Sequence, residues 1–340
     1  DEHENWVWKG TDCTPSLARC LVNLSRGGGD AVVIREFDLA SKTFVKDGFN
    51  LPEAKATATY WSENTVLFGT DFGPGSMTTS GYPNVVKLWA RGEPTSAAKT
   101  VFTGKLSDVS SGAVVFRHSS DDNTAIIQRG VSFFESEYYL PAPDGPWTKL
   151  PLPLSADLKG MTNGQIVFTL RSDWAPPGGA KLTRGSLIAF ALKDYRGGDN
   201  VPPITVLYAP GPRSTVDEVS TGRDAVYASI YDNVIGSIHA FRFDPAKNAW
   251  SDTMLDLPGH GSTHIVSTND YGPEAQFRFE NFVTPTTLYG DLERRHEDSL
   301  FRHAREELRG PCANCALRLW RLRGFGDTGL LDQFRIAVAF

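Results

Sequence analysis

Four cysteines stand in two close pairs, Cys13/Cys20 and Cys312/Cys315. Cys312-Ala313-Asn314-Cys315 has the spacing of half a structural zinc site, which needs four ligands. Cys13 and Cys20 are not spaced as the other half. His296 and His303 are near the second pair in sequence but form no zinc pattern with it. Four cysteines in 340 residues are also too few for a disulfide scaffold. His260 and His264 flank Gly261-Ser262-Thr263, a probe for metal chemistry whose expected place is a solvated loop or strand end. A serine hydrolase of the nucleophile-elbow type needs Gly-x-Ser-x-Gly, and no serine here has glycine at both second positions. Asp71-Phe72-Gly73 matches the metal-binding triplet of protein kinases in letters, without the companion loops that chemistry requires. Gly73-Pro74-Gly75-Ser76 and Gly27-Gly28-Gly29 are not followed by helices, so they read as turns and not as phosphate cradles. The carboxylates Asp71, Asp157, Asp217 and Glu218 fall near inner strands of the repeat described next. A glycosidase or lactonase would need such groups to converge, and their expected role is that of turn or strand-end carboxylates. No catalytic, cofactor-binding or metal-binding residue is assigned from these patterns.

The elements that would position such residues are strands. Forty per cent of the chain is hydrophobic and 22% charged, with 32 Gly, 21 Pro, 8 Trp and 20 Phe. Many turn residues beside aromatic-rich segments favour an all-β fold. The net charge of -6 argues against a nucleic-acid surface, which shows a basic patch or stripe. No run of about 18 apolar residues exists, so no membrane partner is expected. The chain opens Asp1-Glu2-His3-Glu4-Asn5, without an initiator Met or an apolar leader. The expectation is a soluble chain whose natural N-terminus is missing, its compartment open between cytoplasm and periplasm.

A repeat near 50 residues organises the chain. An apolar strand ends in Asp, a polar turn follows, then an aromatic, then Leu-Pro. Examples run from Asp38 through Phe44 to Leu51-Pro52, from Asp144 through Trp147 to Leu150-Pro151, and from Asp244 through Trp250 to Leu257-Pro258. Weaker equivalents end at Val101-Phe102 and Val206-Leu207-Tyr208. Between anchors, short strands are expected at Ala113–Arg117, Thr124–Arg129, Ser132–Leu140 and Trp147–Leu150. Further ones are expected at Gln165–Leu170, Ser186–Leu192, Ile204–Tyr208, Ala225–Ile230, Ser237–Phe243 and Trp250–Leu255. Four strands in every such interval is the blade unit of a β-propeller. A pair of β-sandwiches is the alternative architecture. About five full blades are expected between Phe44 and Tyr289, preceded by a partial blade from Trp6 to Phe44. The ring is expected to be incomplete, with sticky edges.

Several runs in residues 1–290 carry a family resemblance. They include Asn5-Trp6-Val7-Trp8-Lys9-Gly10, Leu24-Ser25-Arg26-Gly27-Gly28, Val33-Ile34-Arg35-Glu36-Phe37-Asp38 and Leu51-Pro52-Glu53-Ala54-Lys55. They continue in Gly69-Thr70-Asp71-Phe72-Gly73-Pro74-Gly75-Ser76, Thr79-Ser80-Gly81-Tyr82-Pro83, Val86-Lys87-Leu88-Trp89 and Phe282-Val283-Thr284-Pro285-Thr286-Thr287-Leu288-Tyr289. Together they resemble the N-terminal propeller portion of prolyl-oligopeptidase-like serine peptidases. The resemblance implies a propeller of the seven-bladed type that gates substrate for an α/β-hydrolase domain with a Ser-Asp-His triad. It implies short peptides as substrates, reached through that hydrolase domain, and no cofactor. No family catalytic residue maps onto a position of this chain, so inactivity alone is expected. A stand-alone propeller used as a binding module is the competing expectation.

The composition changes after residue 290. Residues 1–290 hold 12 Lys and 13 Arg, and residues 291–340 hold no Lys and 9 Arg. Glu293–Leu308 could pass as a charged helix without a clear apolar face. With permitted codons, shifting the frame by one base turns residues 293–302 and 316–331 into stretches that resemble the start of the family's hydrolase domain. Residues 291–340 are therefore expected to be an aberrant tail, an out-of-frame reading of the start of that hydrolase domain.

Overall fold

The computed structural model describes residues 4–117, 123–141 and 146–291, and all of them fall in one compact unit. The expectations for Cys312, Cys315, His296, His303 and the tail lie outside these residues.

Among the described residues, twenty-four strands form six antiparallel sheets. The first sheet holds β1 (Trp6–Cys13), β2 (Arg19–Arg26), β3 (Val32–Asp38), β4 (Thr43–Phe44) and β5 (Leu51–Ala54), the last pairing with β3. The second holds β6 (Thr57–Ser62), β7 (Thr65–Gly69), β8 (Val85–Ala90) and β9 (Lys99–Thr103). The third holds β10 (Ser110–Arg117), β11 (Asn123–Gly130), β12 (Ser136–Leu140) and β13 (Thr148–Lys149). The fourth holds β14 (Ala156–Thr162), β15 (Gln165–Leu170), β16 (Leu187–Ala191) and β17 (Thr205–Tyr208). The fifth holds β18 (Ser214–Thr221), β19 (Val226–Asp232), β20 (Ile235–Asp244) and β21 (Ala249–Met254). The sixth holds β22 (Ser262–Thr268), β23 (Ala275–Glu280) and β24 (Thr287–Asp291). Apart from β5, which returns to β3, each sheet is built in chain order, so its pairing is local.

Five clusters of buried side chains sit one at each contact between consecutive sheets. Leu21 and Ile34 of the first sheet meet Tyr60, Val66 and Phe68 of the second. Leu67 and Val86 meet Val115, Ala125 and Ile127. Ile126 and Tyr138 meet Ile166, Phe168 and Phe190. Val167 and Ala189 meet Val226, Ala228 and Ile230. Tyr227 and Ile238 meet Phe277 and Phe279. Successive residues of β15 thus point to different neighbours: Ile166 and Phe168 to the third sheet, Val167 to the fifth. That is the period of two of a strand, with both faces apolar because both are covered. Burying a side chain such as Phe168 contributes about 2–3 kcal/mol.

First strands also neighbour one another: β1 lies against β6, β6 against β10, β14 against β18 and β18 against β22. Sheets stacked face to face with their first strands together are the arrangement of a propeller around an axis. The sandwich alternative, which needs two opposed sheets, does not describe it.

The repeat read from sequence turns out to mark one strand in each of the first five sheets. Phe44, Val101, Val206 and Trp250 lie in β4, β9, β17 and β21, and Trp147 immediately precedes β13. These are fourth strands, at the outer edge. Two expectations differ from the structure. Where a partial blade was expected from Trp6 to Phe44, a five-strand sheet runs to Ala54. Its β1 was not legible because Val7 and Trp8 are exposed, so it lacks the alternation of a half-buried strand. The expected strand Ser132–Leu140 begins only at Ser136, because Val131 and Ser132 donate their N–H groups to the Glu135 carbonyl and close a turn. Between Phe44 and Tyr289 stand four four-stranded sheets and one of three strands, among the described residues. A count of seven blades is not reached there.

Candidate functional site

Chain direction gives every sheet two ends. Connections between sheets, and turns between second and third strands, all fall at one end, called here the connector end. Turns between first and second strands fall at the far end. Contacts between sheets keep the ends in register. At the connector end the Tyr82 hydroxyl donates to Asp30 at 2.9 Å, joining the second sheet to the first. There too Ser111 N–H donates to the Pro83 carbonyl at 2.7 Å, joining third to second. At the far end Ser16 N–H donates to Glu63 at 2.8 Å, and Thr162 Oγ1 donates to the Arg223 carbonyl at 2.9 Å.

The connector end is apolar at its loop tips. Phe133 and Phe134, at the turn between β11 and β12, are 83% and 64% exposed. Their rings stand edge to face at 5.0 Å, and Arg171 of the fourth sheet lies 5.7 Å from the Phe134 ring. Val234, at the turn between β19 and β20, is 88% exposed. Phe282 and Val283, between β23 and β24, and Leu106, between β9 and β10, are exposed as well. Among the described residues, no large exposed apolar side chain lies in a far-end turn. Scattered exposed hydrophobics are ordinary, whereas a set gathered on one face marks a surface that something covers.

The far end is polar. Asp12, at the end of β1, is 3.0 Å from Arg117 at the end of β10, and its second oxygen is 3.1 Å from the same Nη2. Arg117 also donates to the Tyr60 carbonyl at 2.8 Å, and Asp12 accepts the Tyr60 N–H at 2.7 Å. Three first strands from three sheets are joined by one ion pair and its neighbours. Burial pushes the Asp12 carboxyl up, against the opposing pull of the Arg117 guanidinium. The Nε of Arg117 and the hydroxyl of Tyr271, in the turn between β22 and β23, are buried without hydrogen-bond partners.

A cavity of about 360 Å³ lies at the far side of the first two sheets, walled by Phe49, Trp89 and Arg91. Behind it the fully buried Glu36 receives both Arg91 Nη atoms, at 2.9 and 2.7 Å, and the Tyr60 hydroxyl at 2.5 Å. Burial acts to raise the Glu36 carboxyl, and the Arg91 and Tyr60 hydrogen bonds outweigh it and hold it low. Burial and that carboxylate push the Tyr60 phenol upward.

The carboxylates singled out from sequence do not converge. Asp71 accepts from Gly73 N–H at 2.8 Å and from Ser76 Oγ at 3.3 Å, which is turn chemistry. Asp157 pairs with Lys159 and Arg171, both at 2.8 Å. Asp217 is exposed at a register shift in β18. Glu218 accepts from Ile265 N–H at 2.7 Å and lies 3.1 Å from His264 Nδ1. His264 is inside β22, and His260 lies in the connection before it. Two histidine–carboxylate pairs, His264 with Glu218 and His239 with Asp252, hold parts of a hydrolytic triad. Among the described residues neither ring hydrogen-bonds a serine or cysteine side chain. No group of three or more His, Cys, Asp or Glu side chains there could hold a metal.

Cys13 and Cys20 face each other across β1 and β2 and form a disulfide, so neither can ligate zinc. Sequence gave no sign of this pairing, because it depends on the register of two strands. Asp12 and Arg117, 105 residues apart, were missed for the same reason.

The sequence profile of the prolyl oligopeptidase N-terminal β-propeller domain matches residues 1–298. An uncharacterized peptidase of Sinorhizobium fredii is 36% identical over 296 residues, covering 85% of this chain and 40% of its own length. An uncharacterized peptidase of Rickettsia prowazekii is 27% identical over 303 residues, covering 82% and 40%. The structure of a post-proline cleaving enzyme from Rickettsia typhi superposes with a TM-score of 0.77 at 25% identity, covering 88% of this chain and 46% of that one. The chain thus spans about two fifths of the length of the curated relatives it matches. No helix among the described residues is long and apolar enough to cross a membrane. Sheets stacked about an axis, the matched profile and the 36%-identical relative lead to one statement: this chain belongs to the prolyl oligopeptidase family, as its N-terminal β-propeller portion.

Proposed function

We propose that the chain is the substrate-gating part of a serine-type peptidase that hydrolyses short peptides, and that it is inactive alone. The observation that carries this is the apolar connector end, with Phe133, Phe134, Val234, Phe282 and Val283 exposed together. A hydrolase domain seated there would cover them and leave the polar far end to solvent. The names of the relatives support a peptidase, and their greater length leaves room for the hydrolase domain. In such a parent an activated serine, a histidine base and an aspartate would transfer the acyl group to water. The propeller would limit access to short peptides. Residues 291–340 we take to be the tail read in a shifted frame, and sequencing the gene across codon 290 tests that directly.

Two experiments test the function. The purified chain should not hydrolyse a chromogenic proline-containing peptide, and hydrolysis that a serine-directed inhibitor blocks would refute inactivity. Residues 4–291 grafted in place of the matching part of the Sinorhizobium fredii peptidase should give a chimera that cleaves short peptides and spares folded proteins. A chimera that folds but shows no size selection would remove the gating role and favour a separate binding module.

A further inference from the structure

Asp12 and Cys13 are adjacent at the end of β1, and each makes a long-range bond. Asp12 reaches Arg117 and the Tyr60 N–H, and so joins the first strands of three sheets. Cys13 is bonded to Cys20 of β2. The pairing of β1 with β2 shifts register between Trp8 and Thr11, so only Thr11, Asp12 and Cys13 pair beyond the irregularity. The position of Asp12 on β2 therefore rests on three backbone pairs, one disulfide and the Thr14–Arg19 hydrogen bonds just beyond it. Cys20 is buried, whereas Cys13 is half-buried beside the exposed Ser16 and Ala18 of the turn, where a reductant can approach. The turn has its own hydrogen bonds, Thr14 N–H to the Arg19 carbonyl at 2.8 Å and Leu17 N–H to the Thr14 carbonyl at 2.9 Å. Reduction would remove the covalent cross-link between the end of β1 and β2 and leave these hydrogen bonds in place.

We propose that the Cys13–Cys20 disulfide is a redox-operated clamp on the Asp12–Arg117 clasp at the far end of the propeller axis. A dithiol reductant breaks the Sγ–Sγ bond. Two electrons and two protons pass to Cys13 and Cys20, and the reductant leaves as its own disulfide. The freed end of β1 releases Tyr60 N–H and Arg117, and the first three sheets can part there. The consequence for substrate access rests on the gating reading above. The clamp itself does not, and it is measured without any peptidase assay.

The test uses the full chain with Cys312→Ser and Cys315→Ser, which leaves Cys13 and Cys20 as the remaining thiols. Under denaturing, non-reducing conditions the oxidised protein should show no free thiol, and two after treatment with dithiothreitol. Amide exchange should then rise about tenfold at Tyr60 on reduction, while Phe168 and Val226 stay protected. Asp12→Asn should exchange fast at Tyr60 in both redox states, since the acceptor is weakened at the source. Cys20→Ala should match the reduced protein with or without reductant. Free thiols in the air-oxidised protein, unchanged Tyr60 protection on reduction, or an equal rise across all sheets would each overturn the proposal.

Discussion

Gly160 of β14 is pressed against Thr221 of β18: a Cβ on Gly160 would stand 2.1 Å from Thr221 Oγ1 and 2.5 Å from its Cγ2. The register of β14 shifts between Leu158 and Gly160, and that irregularity brings the backbone of the fourth sheet onto the fifth. Gly160→Ala should therefore cost about 1–3 kcal/mol by overpacking. Thr221→Ala removes the two nearest atoms and should recover part of that loss. Urea denaturation of both single variants and the double variant measures the coupling. Additive losses would mean that the two first strands can move apart freely.

Glu36 and Arg91 predict a larger effect at the contact of the first two sheets. Glu36 is fully buried and accepts from Arg91, Tyr60 and the Phe49 N–H at 3.1 Å. Glu36→Gln keeps the shape but leaves Arg91 without its charged partner. Removing one member of a buried pair costs about 3–5 kcal/mol, and the low end applies because Arg91 is partly exposed. The urea midpoint reports it, and a shift under a tenth of that size would show that the pair contributes nothing net.

The same carboxylate sets a sign for acid sensitivity. Its folded value lies below the ordinary one, held there by Arg91 and Tyr60 against burial. The stability it contributes is complete above the unfolded glutamate value of about 4.3 and is lost as pH falls through the lower folded value. Asp12 has the opposite sign, because burial raises it, so its contribution is present at low pH and lost as pH rises through its folded value. Melting temperature against pH should fall more steeply below about pH 4 in the parent chain than in Glu36→Gln. Parallel curves would exclude Glu36 as the source.

The exposed aromatic pair at the connector end predicts behaviour without a change in fold stability. Phe133→Ser with Phe134→Ser removes two side chains that bury little, so the melt should move by no more than about 0.5 kcal/mol. Self-association and binding of a hydrophobic dye should both decrease. Unchanged association, measured by light scattering, would mean that these rings are not the adhesive surface.

The amino-acid sequence determined the fold class and the outer edge of the five sheets that have a fourth strand. Asp-turn-aromatic signals at Phe44, Trp147 and Trp250, with weaker equivalents at Val101 and Val206, are local, since a turn and the strand after it involve neighbours in the chain. Strands β15, β16 and β19 were legible because both faces are apolar, and no context is needed to see that. Among first strands β10 was read, as Ala113–Arg117, and the others were not legible. Ala156–Thr162 and Ser214–Thr221 carry polar residues and register shifts, so their strand character comes from the sheets they line. The candidate site was hidden for a related reason. Asp71 and Asp157 satisfy partners near them in the chain and Glu218 a strand of the next sheet, whereas Asp12 and Arg117 meet across 105 residues and three sheets. Cys13 and Cys20 become partners only through the register of β1 on β2. Periodicity along a strand is written in the order of side chains. Which ends of which strands meet at an axis is set by the stacking of whole sheets, and only the tertiary structure decides it.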